Sequence, residues 1–363
     1  MPRILYTVTV LDPGAVPNIL FDLAPHLNEL GWEIEILALQ KPPRNPDSLQ
    51  RAAQLGITVH HLGVDAWNVP LAVQKMRDFL KSRSYDLVHS HLGRADLVTA
   101  WAKPKSMPQV STFHSVRQNY HPLTLFGYRL TDHRVNVRTG VSQAVIDSFY
   151  ANGFLKSRHQ VIYNPVDPQR LACSLSRQQA RELFGVGEGP ALVQVGRLIS
   201  VKAHQLTLRA LALLRRDFPN AVLIVLGDGP LRAQLQHLAK NLGIGEHVRW
   251  VGFQAPPKAY AASDLVVFPS LWEGLGLVPI EAMLLKIPVV CSDLPAIREF
   301  LNPEEDGLVF PPGQLESYVQ AIQQALHPTW NLAKTQRKIL ERFNPRRIAQ
   351  DYHNLYISLG GIF

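Results

Sequence analysis

The stretch Phe268-Pro269-Ser270-Leu271-Trp272-Glu273-Gly274-Leu275-Gly276-Leu277-Val278-Pro279-Ile280-Glu281 decides the reading of this chain. Leu265–Phe268 is an apolar run of strand type, a loop with two glycines follows, and Pro279 suits the first turn of a helix running toward Leu285. Gly274 and Gly276 let the backbone approach a ligand closely. The helix start adds free N–H groups and the positive end of a dipole, so the segment is a cradle for a phosphate or a sugar hydroxyl. Glu273 is placed in the loop and Glu281 in the first helical turn. On one continuous helix their eight steps would separate the backbones by roughly 12 Å, wider than the carboxyl pair of a glycosidase, although side chains could close part of that gap.

Outward from this segment, apolar β-branched runs alternate with helix-like segments. The strands read in the first half are Ile4–Val10, Ile34–Leu39, Ile57–Leu62, Leu87–His91, Val110–Phe113, Val135–Val141 and Gln160–Tyr163. In the second half they are Ala191–Val195, Val222–Leu226, Val248–Val251, Leu265–Phe268 and Pro288–Cys291. Continuous apolar strands separated by helices mean parallel sheets covered on both faces. The rhythm runs twice, so the fold class is α/β with two doubly wound, Rossmann-like domains. A total of 363 residues agrees with two domains. The boundary is expected between Val161 and Pro190, giving domains 1–165 and 166–343. Residues 344–363 form a final helix that is expected to return toward the N-terminal domain.

After strand Ala191–Val195 comes Gly196-Arg197-Leu198-Ile199-Ser200-Val201-Lys202. The glycine allows a tight turn, and Arg197 and Lys202 place two cations at a strand end. In such sheets ligands bind beyond the carboxyl ends of the strands. A departing diphosphate needs its developing charge neutralised, and without a metal Arg and Lys must do it.

With these motifs in order the chain resembles the retaining glycosyltransferases of family 4, which have the GT-B fold. The likeness covers nearly the whole length. It rests on Gly196-Arg197-Leu198 with Lys202, Leu226-Gly227-Asp228-Gly229-Pro230, Val251-Gly252-Phe253, Ala262-Ser263-Asp264, Glu273 through Glu281, Ala282-Met283 and Pro288-Val289-Val290. The resemblance implies two Rossmann-like domains facing across a cleft, the first for the acceptor and the second for the nucleotide-sugar donor. It implies that Arg197 and Lys202 bind the donor diphosphate, that Glu273 lies near the transferred sugar, and that Glu281 holds the ribose. Gly274, Leu275, Gly276 and Leu277 then supply backbone amides, Gly196 the turn, and Phe253 the loop that receives the base. His114, closing Ser111-Thr112-Phe113-His114, stands where the family keeps a histidine that orients the donor sugar or faces the reacting centre. His89 and His91 are read as structural. Gly14 stands in the loop where the family has paired glycines and a Glu; here it reads Asp12-Pro13-Gly14-Ala15-Val16-Pro17. The linker reads Asn164-Pro165-Val166-Asp167 where the family has Asn-Gly-Val-Asp.

The expected reaction is therefore metal-independent, retaining transfer of a sugar from a nucleotide-diphosphate sugar to an acceptor hydroxyl, in polysaccharide, glycolipid or cell-envelope biosynthesis. No cofactor and no metal ion are expected. The irregular Gly14 loop motivates an alternative, a non-catalytic or regulatory nucleotide-sugar binder. A nicotinamide-dependent oxidoreductase is disfavoured, because Gly-x-Gly-x-x-Gly does not follow the first strand.

Composition narrows the partners. The net charge of +8 is concentrated, with eight Lys/Arg against Asp132 and Asp147 between Trp101 and Gln160. This suits a lipid-linked or saccharide acceptor and peripheral contact with an anionic membrane through the N-terminal domain, set against a plain solvated face. Nucleic acid is not expected, since no binding motif accompanies the charge. No apolar run reaches the roughly 20 residues of a membrane span. The N-terminus lacks signal-peptide features, so a cytoplasmic location is expected. Cys173 and Cys291 are too few for a disulfide framework.

Overall fold

The computed structural model describes residues 1–43, 45–65 and 68–360. Residues 361–363 of the predicted final helix lie outside the described residues. The chain divides into two compact units, residues 1–166 with 343–363 and residues 167–342.

The first unit holds a seven-stranded, all-parallel sheet. Its strands are β1 (Arg3–Val8), β2 (Glu33–Ala38), β3 (Thr58–His61), β4 (Leu87–His91), β5 (Gln109–Phe113), β6 (Val137–Gly140) and β7 (Arg158–Val161), in the spatial order β3-β2-β1-β4-β5-β6-β7. Register is continuous, with Ile4 opposite Ile34 on one side of β1 and opposite Leu87 on the other. The second unit holds a six-stranded parallel sheet of β8 (Ala191–Val195), β9 (Val222–Leu226), β10 (Val248–Gly252), β11 (Leu265–Phe268), β12 (Val289–Ser292) and β13 (Leu308–Phe310), ordered β10-β9-β8-β11-β12-β13. The doubly wound α/β reading holds in both units. Leu87–His91, Ala191–Val195, Val222–Leu226 and Leu265–Phe268 match the sequence reading at both ends, and the other strand ends differ from it by at most two residues, the usual scatter for boundaries. β13, at three residues, is too short for its pattern to announce it.

In each sheet the strand order reverses once, at β1/β4 and at β8/β11. At such a point the two following segments leave in opposite directions, and their carboxyl-end loops flank a crevice. β8 and β11 are the strands that carry the two motifs of the second half.

The final helix, Pro345–Gly360, belongs to the first unit and packs on the helix Ala15–Glu29. Asn344 caps it, its side-chain oxygen accepting from the N–H of Arg346 at 2.9 Å. Its Tyr352 and Tyr356 are buried and reach polar side chains of the sheet. Nδ1 of His89 lies 2.6 Å from the Tyr356 hydroxyl, which is 3.2 Å from that of Tyr6. Nε2 of His89 lies 2.7 Å from Thr112 Oγ1, and Thr112 lies 2.6 Å from Thr139 Oγ1. Buried polar groups of this kind are tolerated because they satisfy one another.

Burial also fixes their titration. Desolvation holds His89 and His91 well below the usual imidazole range, helped by neighbouring histidines, and lowers His114 to about 4. At these three histidines the unfolded chain therefore binds more protons than the folded chain from the ordinary histidine range down to about pH 4, which outweighs the opposite contribution of the single buried Asp96, raised to about 6. Stability of this unit should be complete above about pH 7 and fall as pH drops toward 4, read as a declining urea midpoint across a pH series. Tyr356→Phe, which leaves the His89 ring nitrogen short of a partner, should destabilise by about 1–3 kcal/mol in the same assay.

Candidate active site

In the second unit Gly196 follows β8 with φ 157°, and Arg197, Leu198 and Ile199 lead into a short turn, Ser200–Lys202. This loop is laced to the next strand's end. Gly196 N–H donates to the Leu226 carbonyl at 2.9 Å, and Leu198 N–H to the Asp228 carbonyl at 3.0 Å. Gly227 has φ 138°, and a Cβ there would stand 2.0 Å from the Gly196 carbonyl oxygen. Only glycine fits so close a main-chain crossing. The Gly227-Asp228-Gly229 segment thus braces the cation-bearing loop.

Lys202 is held from several sides. Its carbonyl accepts from Gln194 Nε2 at 2.8 Å, and its Nζ donates to Glu273 Oε1 at 2.5 Å. The ammonium also stands 5.1 Å from the centre of the Phe268 ring, in cation–π range. Arg197 is exposed, and among the described residues no carboxylate pairs with it. The two motif loops are joined directly, because Leu271 N–H donates to the Val201 carbonyl at 2.8 Å.

Beyond Glu273 the chain turns through Gly274 and Leu275 to Gly276, whose φ of 91° is left-handed. A Cβ there would sit 2.8 Å from Ile297 Cδ1. The helix Leu277–Leu284 then begins, with the N–H groups of Leu277 and Val278 at its head lacking helical carbonyls to bond. Glu281 is its fifth residue. It therefore lies in the second turn, one turn later than the sequence reading, because the left-handed glycine starts the helix at Leu277. It is buried, with Oε1 3.1 Å from Arg170 Nη2 and Oε2 accepting from the Tyr260 hydroxyl at 2.8 Å. Burial and the adjoining carboxylate raise the Tyr260 phenol well above its ordinary range, so it stays a donor. Phe253, just past β10, is 60% exposed.

Gly14 and His114 belong to the first unit. Gly14 directly precedes the helix Ala15–Glu29, in extended backbone. His114 follows β5, and its Nε2 lies 2.9 Å from Nδ1 of His91 on β4. The structure thus joins Lys202 to Glu273 and sets Arg197 on the same loop, while Glu281 is held separately by Arg170 and Tyr260. Arg170, Tyr260, Gln194 and His91 were not singled out as site residues. The signal for His91 was its place two residues from His89, which puts both rings on one strand face.

The basic stretch from Trp101 to Gln160 is less exposed than its count suggests. Lys103 is buried, donating to the Met107 carbonyl at 2.8 Å. Arg134 donates to the Ala100 and Lys103 carbonyls, and the fully buried Arg138 pairs with Asp132. Among the described residues no group of three or more His, Cys, Asp or Glu could hold a metal ion, and no helix is long and apolar enough to cross a membrane.

Two parallel doubly wound units, the second with a cation-bearing loop and a glycine loop at its strand-order reversal, define an α/β protein of the Rossmann-like class. Comparison with known proteins makes this specific. The family described as "Glycosyl transferases group 1" matches residues 176–342, and "Glycosyltransferase Family 4" matches residues 16–170. The chain belongs to the family 4 glycosyltransferases with the GT-B fold. An alpha-D-kanosaminyltransferase of Streptomyces kanamyceticus is 28% identical over 238 residues, 61% of each chain. The chain thus spans less than two thirds of that relative's length. The N-acetyl-alpha-D-glucosaminyl L-malate synthase of Bacillus anthracis is 24% identical over 93% of this chain and 92% of its own. The crystal structure of Anabaena Alr3699/HepE in complex with UDP and glucose superposes with a TM-score of 0.84 at 22% identity, over 99% of this chain and 100% of that one.

Proposed function

We propose that the chain transfers a sugar from a nucleotide-diphosphate sugar to an acceptor hydroxyl with retention at the anomeric carbon, without a metal ion, in polysaccharide, glycolipid or cell-envelope biosynthesis. The carrying observation is that, at one strand-order reversal, the loop bearing Arg197 and Lys202 is joined to the loop leading into the helix Leu277–Leu284 by the Lys202–Glu273 ion pair and the Leu271–Val201 hydrogen bond. The names of the relatives, which transfer or join amino sugars, and the UDP and glucose bound by the Anabaena protein support the donor class.

In this reading the cations and the leading N–H groups of the helix take the diphosphate, and stabilise the charge that grows on it as the bond from anomeric carbon to phosphate oxygen breaks. The acceptor oxygen bonds to the anomeric carbon from the same face, and its proton passes to the departing phosphate oxygen. Glu273 keeps the Lys202 ammonium in place beside the sugar. Arg170 and Tyr260 orient Glu281 for the ribose, and Phe253 lies in the loop that takes the base. His114 is assigned to the sugar. The protein contributes chiefly orientation and preorganised charge.

Arg197→Ala and Lys202→Ala should each lower turnover of a nucleotide sugar by about 10²-fold or more, as lost oxyanion-type donors do. Near-normal rates in both variants would remove these roles. A pure protein that binds the donor yet neither transfers nor hydrolyses it would instead be a regulatory binder.

The acceptor is read as lipid-linked, at an anionic bilayer. On the helix Pro122–Thr131, Leu123, Phe126 and Leu130 are 73, 62 and 47% exposed, and Trp101 of the neighbouring helix is 43% exposed. Spacings of three and four residues put the first three on one helix face. The side chains of Arg129 and Lys105 are exposed nearby in sequence, while Asp132 is turned inward to Arg138, Ser157 and the N–H of Lys156. An apolar face with a cationic surround and its acid withdrawn suits the headgroup region of an anionic membrane. Replacing Leu123, Phe126 and Leu130 together by Ser should weaken binding to phosphatidylglycerol vesicles about tenfold or more in sedimentation assays. Unchanged partitioning would refute the membrane face.

A further inference from the structure

We propose that His91 is a positioning residue that fixes the tautomer of His114, so that His114 presents Nδ1–H as a hydrogen-bond donor to an oxygen of the transferred sugar. This rests on the reading that His114 serves the sugar.

His91 Nδ1 and His114 Nε2 lie 2.9 Å apart, with ring centroids 5.2 Å apart and planes tilted by 33°. At that separation one nitrogen must carry the proton and the other accept it. The opposite nitrogen of His91, Nε2, is buried and has no hydrogen-bond partner among the described residues. The Tyr6 ring is 5.4 Å away and the His89 ring 4.2 Å, centroid to centroid.

Two arrangements satisfy the short contact. If Nδ1 of His91 accepts, its proton sits on Nε2 and a buried N–H is left without an acceptor. If Nδ1 of His91 donates, Nε2 is left with only a lone pair. Orphaned buried N–H groups are rarer in folded proteins than under-used acceptors. The second arrangement therefore wins, and His91 donates to Nε2 of His114. A neutral ring whose Nε2 accepts must carry its proton on Nδ1.

Both rings are neutral near pH 7, since burial depresses the basicity of both imidazoles. His89 cannot take over this task, because both of its nitrogens are engaged by Tyr356 and Thr112. With Nε2 of His114 committed to His91, Nδ1 is the nitrogen left for a ligand, and it arrives as a donor. Its partner must be an acceptor oxygen, as a sugar hydroxyl or the carbonyl of an acetamido group provides. Near neutral pH the same arrangement denies His114 the part of a proton-accepting base toward the ligand.

The test uses the whole protein labelled with ¹⁵N-histidine, in wild-type form and as His91→Asn and His91→Leu. Two-bond ¹H–¹⁵N correlation distinguishes the two neutral tautomers, and the His114 pattern is assigned by its loss in His114→Asn. The expected result is the Nδ1–H pattern for His114 in the wild type and in His91→Asn, whose amide N–H stands near the original donor. In His91→Leu, His114 should shift to the other tautomer or a mixture. Turnover is followed as hydrolysis of UDP-glucose. His91→Leu should lower kcat about tenfold with KM changed far less, and His91→Asn should recover most of the loss, as one hydrogen bond of ordinary strength implies. An Nε2–H pattern for His114 in the wild type, or a His91→Leu spectrum that leaves His114 unchanged, overturns the proposal. Failure of the wild type to turn over UDP-glucose would bear on the transfer reading, and the tautomer pattern would still decide the positioning claim.

Discussion

The hydrogen bond from the Leu271 N–H to the Val201 carbonyl joins the two loops that leave the second sheet on either side of its strand-order reversal. Segments diverging from such a point have no covalent reason to keep a fixed spacing. This bond, the pairing of Lys202 with Glu273 and the Phe268 ring supply that reason. The loop after β8 is braced from its other side by the Gly227 crossing, so a lysine on a surface turn becomes a charge with a defined place. Preorganisation of this kind separates a charge that binds from one that is merely solvated.

The first unit solves a different problem. Its central strands carry histidines, threonines and a glutamine where parallel sheets are usually aliphatic. Each such group costs free energy to bury alone, and low local polarity strengthens every bond among them once all are made. Tyr6, Thr112, Thr139, Tyr352 and Tyr356 close that set around His89. The network holds the β4 and β5 ends in place, and so sets the rings of His91 and His114 at the rim.

Much of this was legible in the sequence, for physical reasons. Buried parallel strands demand unbroken apolar runs, so Val222–Leu226 and Ala191–Val195 were bounded correctly, whereas the three residues of β13 carry too little pattern. The Glu273–Glu281 loop was readable because paired glycines before a helix constrain the backbone locally. The partners of Glu281 were not, since Arg170 lies 111 residues away and an ion pair at that separation leaves no local trace. The cationic stretch shows the converse error. A count of charges cannot tell Arg138, sunk against Asp132, from Arg129 on the surface. Direction of burial is a tertiary fact.

The chain crosses between its units twice, at residues 166–167 and 342–343, and the Val166 N–H donates to the Phe343 carbonyl at 3.0 Å where the passages meet. During synthesis the ribosome must therefore deliver all of the second unit before the helix that roofs His89 and Tyr6 becomes available. Residues 167–342 form one uninterrupted segment and can collapse as they emerge, while the first unit must wait with polar strand faces uncovered. A fragment ending near residue 166 would never acquire that roof. Any dissection of the protein into separate halves has to graft residues 343–360 onto the first.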